Sequence, residues 1–173
     1  IVRSSSRLED RYGNAFAGQY DSVFCANRGT REERLAALLD AVRQVYASTL
    51  SESALRYRQR RGLLDEHEQM ALLIMRVSGT AGGRYFHPHA AGVGLSVNPY
   101  PWNPRIDMKA GVVRLVAGLG TRAVDRADDD YTRLVARNAP ALRPETNFGA
   151  IARHAQRRMD TLDLQRNEVV TGP

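Results

Sequence analysis

The side chains best suited to chemistry in this sequence lie within residues 1–21. Arg3 is followed directly by Ser4 and Ser5, and a small loop further along contains Gly18 and Gln19. A guanidinium presents a planar fork of donors that fits phosphate oxygens, serine hydroxyls add donors, and a glycine lets the backbone approach a ligand closely. On the residues alone a polar turn is the favoured interpretation of this stretch, and a site for a polyanion is the alternative.

Two short strands are expected to position these groups. Residues 1–3 have the apolar, β-branched start of a strand that leads into the serines, and residues 22–26 have the composition of a strand that returns from Gly18. A strand–loop–strand unit with a glycine at its turn can fold over a nucleotide as a flap. The arginine and the glycine-tipped flap would together form a cradle for a phosphate chain.

Two helices are predicted next. Apolar residues recur at three- and four-residue steps over residues 31–47, and Thr30 precedes Glu33 at the spacing of a capping box. A second helix begins after Ser51, a favourable N-cap, and ends at Gly62, a favourable residue beyond a helix C-terminus. The first of these helices is expected to be purely structural.

The rest of the sequence predicts strands. Residues 70–77 form a near-continuous apolar run typical of a buried strand, and residues 85–89, 90–97 and 111–117 predict three more. The last of these runs into Gly118 and Gly120, and a strand followed by a glycine-rich turn is typical of anion sites. The turn lacks the Gly-Lys-Ser/Thr end of a Walker loop and the third glycine of a dinucleotide fingerprint. Residues 162–170 predict a hairpin that turns at Arg166 and Asn167.

Three groups have metal-binding or reactive alternatives. His87 and His89 would share one side of a strand, and residues 128–130 are consecutive aspartates. Structural or surface histidines and a solvated acidic turn are favoured over zinc and magnesium sites, since no third ligand accompanies the histidines. Cys25, the one cysteine in the sequence, is interpreted as a core residue. No metal ligand is assigned.

Charge and composition restrict the function classes. The 173 residues suffice for one domain, and the net charge of +6 comes almost entirely from arginine, because Lys109 is the only lysine. The arginines are scattered beside acidic residues, which argues against nucleic acid as a partner. The densest basic cluster, residues 56–61, is interpreted as a solvated helix end, with an anion or partner site as the alternative.

The expected location is the cytoplasm. No apolar run reaches the roughly 20 residues that a membrane span requires, and no secretory signal opens the sequence. A single cysteine fits a reducing compartment. Because the first residue is Ile1 and not methionine, the chain is expected to be a fragment of a larger protein.

Four motifs in a fixed order resemble one enzyme family. An Arg-Ser-Ser segment with a Glu-Asp pair occupies residues 3–10, and Phe-Ala-Gly-Gln follows at residues 16–19. An Ala-Gly-Val strand that ends in Asn-Pro occupies residues 91–99, and a Gly-Leu-Gly turn occupies residues 118–120. This order resembles the N-terminal nucleotide-binding domain of the phosphoenolpyruvate synthase and pyruvate phosphate dikinase family.

The resemblance implies a partial ATP-grasp fold of the α/β (α+β) class, with a mixed, mainly antiparallel sheet and flanking helices. Residues 1–173 would be one domain, a fragment of the nucleotide-binding domain, in which residues 1–135 match the family and residues 136–173 form a connector and a β-hairpin. The implied cofactors are ATP and Mg²⁺. The implied partners are a swivelling phosphohistidine domain and an acceptor domain of the same protein, which pass phosphoryl to pyruvate or a similar acceptor.

The implied phosphate contacts are Arg3, which would also be catalytic, with Ser4 and Ser5, and the implied covering loop contains Gly18 and Gln19. The backbone of Met75, Arg76 and Val77 would line an adenine slot, and Gly118 and Gly120 form a later glycine turn that belongs to the implied site. Two positions depart from the family pattern. Met75 stands where relatives commonly have glutamine, and Arg122 stands where they often have an acidic residue.

Parts of the family's machinery are missing from this sequence. The phosphate-binding lysine that relatives carry upstream is not found, nor is the later strand pair with magnesium-binding acidic residues and Gln-x-Arg. The chain alone is therefore expected to bind nucleotide weakly or not at all and to be inactive. Two alternatives remain, which are a degenerate relative without turnover and a non-catalytic, arginine-rich module that binds nucleic acid or a protein partner.

Overall fold

The computed structural model describes residues 1–9, 18–124 and 130–173. The chain forms two compact units. The first unit comprises Ile1–Val77 with Leu164–Glu168, and the second comprises Ser78–Asp163 with Val169–Pro173.

The first unit is a three-stranded antiparallel sheet with two helices. Its elements in chain order are β1 (Val2–Ser6), β2 (Ser22–Val23), α1 (Arg31–Ser48), α2 (Glu52–Arg60) and β3 (Met70–Ile74). The strand order is β2-β1-β3, so that the serine-containing strand lies in the middle of the sheet.

Both helices begin where the sequence predicts. The Thr30 hydroxyl accepts a hydrogen bond from the Glu33 backbone N–H at 3.2 Å, and the Glu33 carboxylate accepts one from the Thr30 N–H at 2.7 Å. This reciprocal pair is the predicted capping box, which is confirmed. The Ser51 hydroxyl caps α2 by accepting from the Ala54 N–H at 3.2 Å. Gly62 follows the last turn of α2 with a φ of +67°, a conformation that glycine adopts without strain.

Helix α1 covers one face of the sheet. Val2 on β1 packs with Ala41 and Val45 on α1, and all three side chains are buried. Strand β3, predicted to be buried, instead lies at the sheet edge, where Leu73 is 46 % exposed and Ile74 is 58 % exposed. Leu73 is exposed because it lies opposite Arg3, on the face that α1 does not cover, whereas Ile74, opposite Val2 on the covered face, is exposed at the end of an edge strand.

The second unit contains most of the strands. Its elements in chain order are β4 (Thr80–Gly82), β5 (Tyr85–His87), β6 (Ala91–Leu95), a 3₁₀ turn (Met108–Ala110), β7 (Val112–Val116), α3 (Thr121–Val124), β8 (Arg133–Ala136), α4 (Phe148–Arg153), β9 (Met159–Asp163) and β10 (Glu168–Gly172), whose first residue belongs to the first unit. One sheet has the order β6-β7-β8 and the other has the order β10-β9-β5-β4. A turn over residues 164–167 joins β9 to β10, at the position of the predicted hairpin.

The predicted fold class is confirmed, since short helices flank mainly antiparallel strands. The strands are distributed over three small sheets and not over one. None of the helices in the described part of the chain has the length and apolar character that a bilayer crossing requires.

Candidate functional site

The two faces of β1 have different surroundings. Val2 and Ser6 are buried, whereas Arg3 and Ser5 alternate with them and are exposed. Arg3 lies directly opposite Ser22 on β2 and Leu73 on β3. Residues opposite each other in a ladder share a face of the sheet. We call this exposed surface the Arg3 face, and it consists of Arg3, Ser5, Ser22, Ala71 and Leu73.

The guanidinium of Arg3 is available to a ligand. No ion pair joins it to a carboxylate among the described residues. An exposed guanidinium without a protein carboxylate keeps its full set of donors for an external anion. The Arg3 face therefore has the charge and the accessibility that a phosphate chain requires.

Glu9 fixes the conformation of the serine segment through hydrogen bonds to Ser4 and Ser6. Its carboxylate accepts from the Ser4 hydroxyl at 2.8 Å and from the Ser6 N–H at 3.0 Å. The Glu9 N–H in turn donates to the Ser6 hydroxyl at 3.1 Å. The Ser4 hydroxyl proton is thus committed to Glu9, whereas Ser5 stays exposed on the Arg3 face. Rigid support of this kind favours precise ligand positioning.

The predicted covering loop is described only from Gly18 onward, because residues 10–17 lie outside the described residues. Gly18 is exposed with a φ of +78°, and Gln19 is half-buried. The chain is then anchored by Tyr20, a buried residue whose hydroxyl donates to the Glu68 carboxylate. Burial, and then this hydrogen bond to Glu68, raises the pKa of Tyr20 well above its ordinary value. The chain between Gly18 and β2 is therefore anchored at Tyr20.

Some backbone groups of the predicted adenine slot already form hydrogen bonds within the chain. The Met75 N–H donates to the Ile1 carbonyl at 3.0 Å, and the Ile1 ammonium donates to the Met75 carbonyl at 3.0 Å. Both backbone groups of Met75 are therefore in use. Arg76 and Val77 lie beyond the end of β3, so their backbone groups are outside its ladder. Recognition of a base by backbone groups at this position stays a prediction, and Arg76 and Val77 are the residues that would provide those groups.

The glycine turn after β7 packs against β9. Gly118 has a φ of +82°, and a Cβ at this position would lie 2.3 Å from Met159 Cγ and 2.6 Å from the Asp160 carbonyl oxygen. The Leu119 N–H donates to the same carbonyl at 2.9 Å. A Cβ at Gly120 would only contact Ala91 Cβ at 3.5 Å. Gly118 is thus required by packing, and ligand binding by Gly118 and Gly120 stays a prediction.

Asp160 gathers hydroxyl and guanidinium donors beside this turn. Its carboxylate accepts from the Thr121 hydroxyl at 2.7 Å, the Arg122 Nε at 3.0 Å and the Thr171 hydroxyl at 2.7 Å. Burial alone would raise the pKa of Asp160, but these hydrogen bonds and the charge of Arg122 outweigh it and lower the pKa. The motifs did not reveal this cluster, because its members come together only through the packing of α3 on β9 and the pairing of β9 with β10.

Asp130 binds the other side of Arg122. Its oxygens accept from the backbone N–H groups of Arg157 at 2.7 Å, Arg158 at 3.0 Å and Tyr131 at 3.0 Å, and Arg122 Nη1 donates to it at 3.4 Å. Burial opposes the charge, yet these hydrogen bonds and Arg122 lower the pKa of Asp130. Arg122, which departs from the family pattern, therefore has both an internal counter-charge and a structural function.

No metal centre is evident among the described residues, which contain no group of three or more His, Cys, Asp or Glu side chains able to hold a metal. The His87 and His89 ring centroids lie 6.4 Å apart in an edge-to-face contact. Both oxygens of Asp130 accept hydrogen bonds from the chain, and Asp128 and Asp129 lie outside the described residues. The described carboxylates therefore do not offer a site that fits Mg²⁺.

A comparison with known protein families shows which family the chain belongs to. Residues 1–171 match the family model described as "Pyruvate phosphate dikinase, AMP/ATP-binding domain". The chain belongs to this family. The family resemblance that the motifs predict is thereby confirmed, and the match continues past residue 135, the expected limit of the family-like part.

One relative of this member of the pyruvate phosphate dikinase AMP/ATP-binding family is a much longer protein. Rifampicin phosphotransferase from Streptomyces sviceus is 30% identical to this chain over 102 residues, which are 59% of the chain and 10% of that protein. The chain thus matches about a tenth of the length of this relative.

Proposed function

We propose that this chain is the ATP-binding part of a phosphotransferase of the phosphoenolpyruvate synthase and pyruvate phosphate dikinase type. The family match over residues 1–171 is the observation that carries this proposal. An exposed Arg3 without a described counter-ion, on a face supported by the Glu9 hydrogen bonds, supports a phosphate-binding role there.

In the proposed reaction, the protein transfers phosphoryl from ATP to a histidine of a mobile domain, which delivers it to pyruvate or a similar acceptor. The chain's own residues would bind and orient the nucleotide, since catalysis of phosphoryl transfer is largely positioning and charge neutralisation. Arg3 would bind the phosphates, with Ser5 beside it and Gly18 and Gln19 over them, and Ser4 would support this segment through its hydrogen bond to Glu9. The free backbone groups of residues 75–77, those of Arg76 and Val77, would line the base. A ligand-binding role for Gly118 and Gly120 in the second unit is a separate prediction.

Mg²⁺ would accompany ATP and would neutralise charge on the phosphates. We propose that its protein ligands lie in parts of the protein other than the described residues, because those residues offer no cluster that fits it. The unpaired Cys25 is compatible with the cytoplasm as the proposed location.

A calorimetric titration with Mg-ATP tests this function. In the complete protein, Arg3→Ala should weaken nucleotide binding about 10- to 100-fold, because a charge-assisted hydrogen bond contributes about 1.5–3 kcal/mol. Arg34→Ala, which removes an exposed arginine from α1, is the matched control and should leave binding unchanged. Equal effects of the two substitutions would contradict a phosphate contact at Arg3.

The same titration on the 173-residue chain tests whether its site is partial. Weak or undetectable binding is expected, because the phosphate-binding lysine and the magnesium ligands are not found in it. Tight binding by the chain alone would contradict the idea that half of the site lies elsewhere.

A further inference from the structure

A separate cavity of about 280 Å³ lies within the second unit. Leu115 on β7 and Arg133 on β8 are directly opposite each other in the ladder and line it from the sheet. Arg143 and Glu145, from the segment between β8 and α4, form a second wall, and His154 at the end of α4 forms a third. Three parts of the chain therefore bring ionisable side chains to one cavity.

Arg133 is a partly buried cation that lacks a counter-charge in the described part of the chain. Its Nη1 atom is buried without a hydrogen-bond partner, and no described carboxylate forms an ion pair with it. A buried polar donor left unpaired costs about 1–3 kcal/mol, and a charged one costs more. The positive charge of a guanidinium is delocalised over its three nitrogens. An anion in the cavity that contacts an accessible nitrogen of this group would stabilise the delocalised charge, while the buried Nη1 donor itself stays unpaired.

The other polar side chains give the cavity more cations than anions. Arg143 also forms no ion pair with a described residue, and Glu145 is the one carboxylate among the described residues that line the cavity. His89 and His154 add two imidazole rings, whose N–H groups can donate hydrogen bonds to an anion. The lining therefore favours a ligand with negative charge.

Gln156 holds one wall of the cavity in place. Its side-chain oxygen accepts from the Ala117 N–H at 2.7 Å, and its side-chain nitrogen donates to the Ala117 carbonyl at 3.1 Å and the Arg158 carbonyl at 2.7 Å. The His154 ring is also oriented, since it meets Tyr131 edge-on with ring centroids 4.9 Å apart. A preformed wall reduces the ordering cost of binding a small ligand.

We propose that this cavity binds a small oxyanion, a phosphate or a compact carboxylate, between Arg133, Arg143 and His154. The forked donors of arginine match the oxygens of both groups. The volume of about 280 Å³ lies at the lower end of ligand pockets, which run from about 300 to 1,000 Å³, and it suits a compact anion better than a whole nucleotide. None of the residues that line the cavity belongs to the proposed nucleotide contacts.

Titration of the chain with inorganic phosphate, at an ionic strength kept constant with chloride, tests the proposal. Saturable binding is expected, with amide NMR shifts at residues 115–117, 133 and 154–156. Arg143→Gln should weaken binding about tenfold, as the loss of one charge-assisted hydrogen bond predicts, and Glu145→Gln should tighten it. Arg153→Gln is the control, because Arg153 is an exposed arginine of α4 that does not line the cavity.

Acetate in place of phosphate identifies the ligand class. Binding of either anion at these residues supports the site, and the tighter of the two names the preferred group. Failure of both anions to bind would overturn the proposal. Arg143 is exposed, so its substitution is expected to leave the fold intact, which a thermal melt checks.

Arg3→Ala separates this site from the nucleotide site. Phosphate binding should persist in Arg3→Ala and weaken in Arg143→Gln. The opposite pattern would place phosphate at the Arg3 face and overturn the cavity proposal while supporting the nucleotide one.

Discussion

Arg3 in the first unit and Arg122 in the second each stand beside a hydroxyl residue, Ser4 or Thr121, but their electrostatic surroundings are opposite. Arg122 donates to Asp160 at 3.0 Å and to Asp130 at 3.4 Å, and its side chain is only 14 % exposed. Arg3 is exposed on a sheet face and forms no ion pair among the described residues. An arginine neutralised by two carboxylates supports the fold, whereas an arginine without one can bind an external anion.

The largest effect that this comparison predicts is on stability. Arg122→Met should lower the free energy of unfolding by about 3–5 kcal/mol, because it leaves two buried carboxylates without their cation. Urea denaturation at pH 7 measures the change. Arg3→Met is the matched control and should stay within about 0.5 kcal/mol of the unchanged chain, as exposed positions usually do. Similar losses for both variants would remove the distinction between the two arginines.

For activity, in contrast to stability, the larger effect is expected from substitution of Arg3. In the complete protein, Arg3→Ala should reduce ATP-dependent phosphoryl transfer about 100-fold or more, the loss that follows removal of one preorganised donor to transition-state charge. Arg3→Lys keeps the charge but not the fork, and should recover part of the rate. Steady-state assays of phosphotransfer measure both. Unchanged turnover in Arg3→Ala would show that its exposed guanidinium does not contact the reacting phosphates.

The glycine turn next to Arg122 provides a smaller test of whether that region is structural. Gly118→Ala should destabilise the chain by about 1–3 kcal/mol, because its Cβ would overlap the Asp160 carbonyl and the φ is +82°. Gly120→Ala, whose Cβ would meet only Ala91 Cβ at 3.5 Å, should have little effect. Thermal melts of the two variants give the comparison. Equal melting temperatures would show that the turn can relax around a methyl group.

Local rules predicted the local features of this molecule. The capping box at Thr30 and Glu33, the cap at Ser51 and the strand before Gly118 depend on neighbouring residues, and each is present. The exposed position of Arg3 follows from alternation along a strand once one face is covered. The four motifs predicted the family of the chain, and the match over residues 1–171 confirms it.

Long-range contacts could not be predicted in the same way. Thr121 and Arg122 meet Asp160 across 39 and 38 residues of sequence, and Asp130 meets Arg157 across 27. No periodicity or motif relates such positions, since their contact depends on how separate elements pack. The exposure of β3 could not be predicted for the same reason, because an apolar run does not indicate whether strands pair along both of its edges or elements cover both of its faces.

The loss of stability in acid is the smallest predicted effect. It distinguishes the network around Arg122 in the second unit from the exposed charges of the first unit. The pKa values of Asp130 and Asp160 are lowered in the folded chain, because hydrogen bonds and Arg122 outweigh the cost of burial. Their stabilising contribution is therefore complete above the ordinary aspartate pKa of about 3.9 and is lost as the pH falls through the lower folded values. Urea denaturation at pH 7, 5, 4 and 3 should show stability declining below about pH 4. Asp160→Asn should be less stable than the unchanged chain at pH 7 and should show a shallower decline, whereas Asp40→Asn, which alters an exposed pair with Arg43 on α1, should retain the full slope. An equal slope in all three proteins would mean that the network around Arg122 does not couple protonation to folding, and Arg122 would then resemble Arg3 in its energetic contribution.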